Sequence, residues 1–248
     1  MGVTFAAIAF LPGLAFGSFL NVVAARVPLR RSVVHPGSAC MACGTSLAWY
    51  DNIPLLSFAL LRGRCRHCAA PIPWRYPIVE GVTALLVAAC VLVFGLTLEA
   101  AVASFFCAVL VAVSTTDIER RVIPNRIVLP AAAVVLVANT ILHPSVAWVV
   151  AGLGAAGFLL LAALAYPGGM GMGDVKLALL LGVALGPAVA VALMVGMVSA
   201  ILPSIVLFAR HGSAARKMRI PFGPVLAFGG VVALFFGGAL LDAYLGLL

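Results

Sequence analysis

Apolar residues run through this chain in long blocks, and polar residues collect in the short interruptions between them. Eight blocks stand out, over 3–23, 77–95, 100–116, 127–142, 146–166, 175–185, 188–208 and 222–247. A helix needs roughly 20 mostly apolar residues to cross the hydrocarbon core of a bilayer. Irregular backbone cannot cross, because each unpaired N–H or C=O in lipid costs several kcal/mol. The pattern therefore predicts an all-α polytopic membrane protein with about eight transmembrane helices. The sixth block is short and reads as tilted or buried among its neighbours. The first contains Gly17, Ser18 and Asn21, so one of its faces is expected inside the bundle. It is also too long, and lacks a small-x-small cleavage site ahead of a soluble domain, to read as a signal peptide. The expected division is a first transmembrane helix over 1–23, a cytoplasmic insert over 24–76 and a membrane domain over 77–248.

Composition sharpens this. Of 248 residues 65% are hydrophobic and 9% charged, against about 25% charged in soluble domains. A soluble globular protein is excluded. The balance of 15 Lys+Arg against 7 Asp+Glu gives a formal charge of +8. Such a balance suits either nucleic acid or an anionic membrane surface. The apolar background selects the lipid bilayer and leaves no role for nucleic acid. With the N-terminus outside, the inside segments are 24–76, 117–126, 167–176 and 209–221, and they hold every one of the 15 Lys and Arg residues. That distribution is the positive-inside pattern, so the insert is expected on the cytoplasmic side.

The insert carries Cys40-Met41-Ala42-Cys43 and Cys65-Arg66-His67-Cys68, two CxxC pairs separated by 21 residues. Each pair presents two thiolates to one ion, and two pairs complete the closed tetrahedral shell of a structural zinc ion. Disulfides are the alternative, but a cytosolic insert lies in a reducing compartment. A segment this small buries little apolar surface, so the metal would supply much of its folding energy. Cys90 and Cys107 fall in apolar helices and read as packing residues. His67 reads as exposed rather than as a ligand.

Acids next to apolar spans are costly and are functional candidates by default. Glu99 and Asp242 fall at the outer surface, where a solvated helix end explains them. Asp117 closes the third span, and Asp174 opens the sixth after the glycine-dense run Gly168-Gly169-Met170-Gly171-Met172-Gly173. Both are expected at the inner edge of the bilayer. Helix cap and interfacial anchor are their bland roles. Their common depth and the scarcity of other acids favour a joint site. Two close carboxyls share a proton, so one can activate a water while the other polarises a carbonyl, which is peptide hydrolysis without a covalent intermediate. Gly171 and Gly173 would let the chain bend sharply and a substrate backbone approach, with Lys176 in the same supporting loop. Helix polarity puts Asp174 at an N-terminus, which favours an anion, and Asp117 at a C-terminus, which does not. Asp174 is thus the expected ionised partner.

Gly171-Met172-Gly173-Asp174 matches the GxGD signature of intramembrane aspartic proteases, and the whole chain resembles the bacterial type IV prepilin peptidases (leader peptidase/N-methyltransferase). The resemblance runs through Gly17-Ser18-Phe19-Leu20-Asn21-Val22, both CxxC pairs and Asp51-Asn52-Ile53-Pro54-Leu55-Leu56-Ser57. It continues through Arg62-Gly63-Arg64-Cys65, Arg75-Tyr76-Pro77-Ile78-Val79-Glu80, Asp117 with Ile123-Pro124-Asn125, and Pro221-Phe222-Gly223-Pro224. It implies catalytic aspartates at Asp117 and Asp174 and a bacterial inner-membrane location. The expected reaction is a cut after a glycine in the leader of type IV prepilins or pseudopilins, at the cytoplasmic face. It further implies methylation of the new N-terminal amine, typically of phenylalanine, by S-adenosylmethionine. The insert marks the longer bacterial form, which smaller archaeal relatives lack. Asn125 departs from the Asp of many relatives, and Gly81 is a second departure.

Glu80 has two readings, as a structural partner of Arg75 or a helix end, or as a contact to the new amine or the methyl donor. Asn21 and Asn52 either line such a site or satisfy backbone groups. No glycine-rich nucleotide motif marks a methyl-donor pocket. Two rival functions are a methyltransferase centred on the zinc insert and a metal or ion transporter. A transporter needs polar groups continuing across the bilayer, and here the acids cluster at one edge.

Overall fold

In a computed structural model the described residues are 2–166, 170–212 and 221–246. Gly168 and Gly169 of the glycine-dense run lie outside them, as do Arg216, Lys217 and Arg219 of the last basic segment. Among the described residues there are ten α-helices and no strand, only two isolated bridges inside the insert. The chain divides into two compact units, Met1–Thr115 and Thr116–Leu248.

The first unit contains α1 (Gly2–Arg26), the insert with the short α2 (Leu56–Leu60), α3 (Arg75–Phe94) and most of α4 (Leu98–Arg120). α1 lies along α3 with backbones nearly touching, since a β-carbon at Gly17 would fall 2.6 Å from the Glu80 Cα. Small residues permit this approach, and membrane helices use it because lipid leaves no hydrophobic force to drive them together. The polar face expected on α1 is indeed turned inward: Asn21 is buried, and its amide donates to the Tyr76 carbonyl at 3.2 Å. Leu20, Val79, Val111 and Ala112 form the apolar core between α1, α3 and α4.

The second unit holds the end of α4, then α5 (Asn125–Leu142), α6 (Ala147–Ala165), α7 (Met172–Leu185), α8 (Val189–Ser199), α9 (Ile201–His211) and α10 (Gly223–Leu245). α7 is central, packed on α5 and α6, while α10 packs mainly on α8. Leu177, Ala178, Leu180 and Leu181 of α7 have no exposed surface. Leu153, Leu161 and Leu164 on α6 are 63–69% exposed, the opposite of a soluble core, and lipid is the solvent that makes this favourable. Alongside the buried apolar side chains are several polar ones, among them Thr116, Asp117, Asn139 and Asp174. Glycines again set the spacing: a β-carbon at Gly182 would collide with the Ala151 carbonyl, and one at Gly229 with that of Ala192.

Among the described residues seven helical segments are long and apolar enough to span, and one of them, Met172–Arg210, runs for 39 residues. That is about twice what one crossing requires. It is broken by a 3-10 turn at Gly186–Ala188, where Gly186 takes φ +57° and Pro187 has no N–H to continue the helix. Two of the eight apolar blocks lie within it, so about eight passes remain the count. Asn139 on α5 donates to the Val183 and Ala184 carbonyls at 2.9 and 3.3 Å, satisfying groups that the end of α7 leaves unpaired.

Candidate active site

Asp117 and Asp174 both belong to the second unit, and both are buried. Asp174 is the third residue of α7, and its Oδ2 accepts the Gly171 N–H at 3.1 Å. The Gly171 carbonyl in turn accepts the Asp174 N–H at 3.0 Å. Asp117 sits one turn from the end of α4, where Arg121 takes φ +53° and donates its N–H to the Asp117 carbonyl. The Asp117 Oδ2 accepts the Gly223 N–H at 2.8 Å. Both carboxyls thus lie in one helical body, each held by a backbone amide.

Two expectations change. Gly171 has φ −88° and ψ 150°, and neither it nor Gly173 takes a positive φ. These glycines supply no sharp bend. Gly173 is needed for space, since a β-carbon there would lie 2.8 Å from the Ile123 Cβ. Helix polarity also fails to rank the two acids. Gly223 is the first residue of α10, so Asp117 meets a helix N-terminus of its own. Each carboxylate thus receives one amide from the start of a helix, where unpaired N–H groups favour an anion.

The turn between α4 and α5 clamps this region. Ile123 covers Gly173, and the Lys176 ammonium donates to the Asn125 Oδ1 at 2.8 Å. Lys176 therefore ties the start of α7 to the start of α5. The sequence reading missed the parts played by Gly223 and Ile123, though both lie in the motifs quoted above. The available signal was Pro221-Phe222-Gly223-Pro224 at the head of an apolar block, where a free amide is expected.

Glu80 is in the first unit and makes a different set of contacts. Its Oε2 accepts the Leu55 N–H at 2.9 Å, and the Ser18 hydroxyl also reaches its carboxylate. Leu55 has φ +58°, a conformation that is costly for a branched side chain, so Glu80 holds a strained turn of the insert against α1 and α3. Arg75 stacks on the Tyr76 ring at 4.7 Å. Asn52 is exposed in a 3-10 turn (Trp49–Asn52).

The four cysteines Cys40, Cys43, Cys65 and Cys68 have all their sulfurs within 4.8 Å of one another. Cys40 and Cys68 Sγ are 3.8 Å apart. A tetrahedron with Zn–S bonds of 2.3 Å has edges of about 3.8 Å, so the set fits a single ion. The two knuckles share one hydrogen-bond scheme. In each, the first cysteine N–H donates five residues ahead (Cys40 to Thr45, Cys65 to Ala70) and its carbonyl accepts from four residues ahead (Gly44, Ala69). A third bond closes each knuckle, Leu47 to Ser38 and Ile72 to Gly63. The fourth-ahead residue is left-handed in both, with φ +71° at Gly44 and +55° at Ala69. Hydrogen bonding by Thr45 draws the Cys43 thiol down to about 6. The Ala70 N–H acts in the same sense on Cys68, but loss of water and the neighbouring sulfurs outweigh it and push that thiol to about 11. Cys90 and Cys107 are a separate buried pair with sulfurs 3.9 Å apart. His67 is exposed.

The sequence profile described as the bacterial peptidase A24 N-terminal domain matches residues 11–94, and that of the type IV leader peptidase family matches residues 104–247. This chain belongs to the type IV leader peptidase family. It is 36% identical to the prepilin leader peptidase/N-methyltransferase of Bacillus subtilis over 96% of this chain and 97% of that one. It is 34% identical to the protein of the same name from Burkholderia pseudomallei, over 93% of this chain and 85% of that one. Identity rises to 49% with the Myxococcus xanthus protein of that name, over 52% of this chain and 38% of that one. No solved structure matches the chain.

Proposed function

We infer that this membrane enzyme is a prepilin leader peptidase that cuts on the carboxyl side of a glycine, and that it also methylates the amine so released. The observation that carries the hydrolase reading is the pair Asp117 and Asp174, buried in one helical body and each anchored by a helix-starting amide. One carboxylate takes a proton from water as the oxygen attacks the scissile carbonyl. The other, protonated, gives its proton to the carbonyl oxygen. Collapse of the tetrahedral diol then breaks the C–N bond: the amine takes the proton that the first carboxyl had received from water, and one diol hydroxyl returns its proton to the second carboxylate, restoring the starting pair. Gly171, Gly173 and Lys176 support this pair. A glycine before the cut suits it, having no side chain to obstruct a dry cleft and weakening a substrate helix by roughly 1 kcal/mol relative to Ala.

The four cysteines hold one structural zinc ion, which supplies folding energy to the 24–76 insert rather than chemistry. S-adenosylmethionine is the methyl donor. Glu80, Asn21 and Asn52 are candidates for that second activity, with Glu80 and Asn21 acting through the positions they fix. The working division is a helix over 1–23, the zinc insert, and a peptidase domain over 77–248. The enzyme sits in the bacterial inner membrane, with its insert and carboxyl pair toward the cytoplasm. Its substrates are prepilins or pseudopilins of a type IV pilus or type II secretion apparatus. Mass spectrometry of a prepilin incubated with purified enzyme and methyl donor tests this, because it reports the cut and the added methyl together. Uncut substrate with active wild-type protein, or a cut that survives in both Asp117→Asn and Asp174→Asn, overturns the reading.

A further inference from the structure

The run Arg62-Gly63-Arg64 takes no part in the reactions above, yet it borders a sizeable open cleft. The cleft, about 790 Å³, lies wholly in the first unit and is walled by Phe58, Ile72, Pro73 and Trp74, with Arg62 and Arg64 at its edge. Phe58 and Trp74 pack with ring centres 5.0 Å apart, and Trp74 remains 71% exposed. Trp74 immediately precedes the membrane-spanning α3. A tryptophan there marks the headgroup level of a bilayer, so the cleft opens where acyl chains meet phosphates.

The lining of the cleft includes two arginines. Three other arginines of the insert are engaged, Arg66 with Asp51 at 2.6 Å, Arg75 on Tyr76, and Arg26 with the Ser32 and Gly37 carbonyls, while Arg30 and Arg31 are exposed and lie away from the cleft lining. Arg62 and Arg64 are exposed, and among the described residues their guanidinium groups have no hydrogen-bond or ion-pair partner. The turn that carries them closes α2, with the Arg62 N–H donating to the Ala59 carbonyl and the Gly63 N–H to that of Phe58. Arg62 takes φ +51° beside Gly63 at +68°, and a β-carbon at Gly63 would lie 3.1 Å from the Phe58 ring. This is the left-handed cap of a helix C-terminus, and the Gly63 carbonyl also accepts the Ile72 N–H that closes the second knuckle, so the position of both arginines is fixed by the insert's own backbone.

We propose that this cleft is a binding site for one anionic phospholipid, with its phosphate on Arg62 and Arg64 and an acyl chain along Phe58, Ile72 and Trp74. Charge complementarity and continuity with the membrane span select a lipid over a soluble anion. The apolar wall would be wasted on free phosphate. The methyl donor carries a sulfonium and an ammonium against one carboxylate, so its net charge is positive, and two arginines favour an anionic phospholipid over it.

Native mass spectrometry of the full chain, released from nanodiscs of equal phosphatidylglycerol and phosphatidylcholine, tests the site. The expected result is retention of one phosphatidylglycerol in preference to phosphatidylcholine, by about fivefold for each arginine engaged. R62Q/R64Q should abolish the preference and R62K/R64K should keep it, with the bound metal unchanged in both. Trp74→Ala should weaken retention of both lipids together. Equal retention of the two lipids by the wild-type chain overturns the proposal, as does a preference that survives in R62Q/R64Q. Displacement of the lipid by inorganic phosphate alone, or by S-adenosylmethionine, would reassign the cleft to a soluble ligand.

Discussion

Replacing Gly223 by alanine tests whether the α10 amide sets the position of Asp117. The new β-carbon would stand 2.8 Å from the Asp117 Oδ2 and 3.2 Å from its Cβ and Cγ. Ordinary contact between such atoms begins near 3.4–4 Å, so carboxylate and helix must separate by up to roughly 1 Å. Overpacking of this kind costs about 1–3 kcal/mol of stability. A misplacement of about 1 Å at a reacting group costs about 100-fold in rate. Gly223→Ala is therefore expected to lower kcat for prepilin cleavage by about 100-fold and to leave KM within about threefold. Gly154→Ala on α6, where a β-carbon meets nothing within 4 Å, is the matched control and should cleave normally. The assay is the initial rate of leader release, followed by mass spectrometry in detergent micelles. Wild-type kcat in a folded Gly223→Ala protein would refute the claim that this amide positions the acid.

Asp117→Asn and Asp174→Asn should each reduce cleavage by at least about 1,000-fold, while methylation of a pre-cut substrate persists; parallel mass spectra of both reactions check this. Lys176→Met should lower kcat by about tenfold by freeing the α5–α7 link, and Asn125→Asp should preserve activity by offering the ammonium a carboxylate at the same place, as steady-state kinetics would reveal. Serine at any one of Cys40, Cys43, Cys65 or Cys68 should drop the metal content from one zinc per chain towards zero and expose the insert to protease, measured by elemental analysis and limited digestion. Ala69→Gly should relieve a left-handed alanine, a gain of up to about 1 kcal/mol, seen as slower loss of zinc to a chelator.

The membrane helices could be read from the sequence because lipid imposes a single requirement, a long apolar run, and it left its mark in every block. The break at Gly186–Pro187 was legible as a short sixth block, since glycine and proline carry their backbone effects locally. Two buried acids and the cysteine cluster were legible because acids and CxxC pairs are scarce and chemically expensive in such a chain. What could not be read was the partner of each group. The amide of Gly223 reaches Asp117 across 106 positions, and nothing in hydropathy records which helix end meets which acid. For the same reason the sequence suggested that Asp174 alone faces a helix N-terminus, an asymmetry that α10 removes. Gly173 was read for flexibility, whereas its neighbour Ile123 makes it a matter of volume. Glu80 was left between two roles, and its hold on the Leu55 amide could not be anticipated because that turn is strained.

The bond from Gly223 to Asp117 also bears on biosynthesis. A ribosome delivers Asp117 and then Asp174 to the membrane well before it delivers α10, the last helix of the second unit. Until that helix inserts, one acid lacks the amide that orients it. If the two aspartates cut as proposed, a chain released before α10 would hold both acids without the Gly223 amide and would be a poor protease.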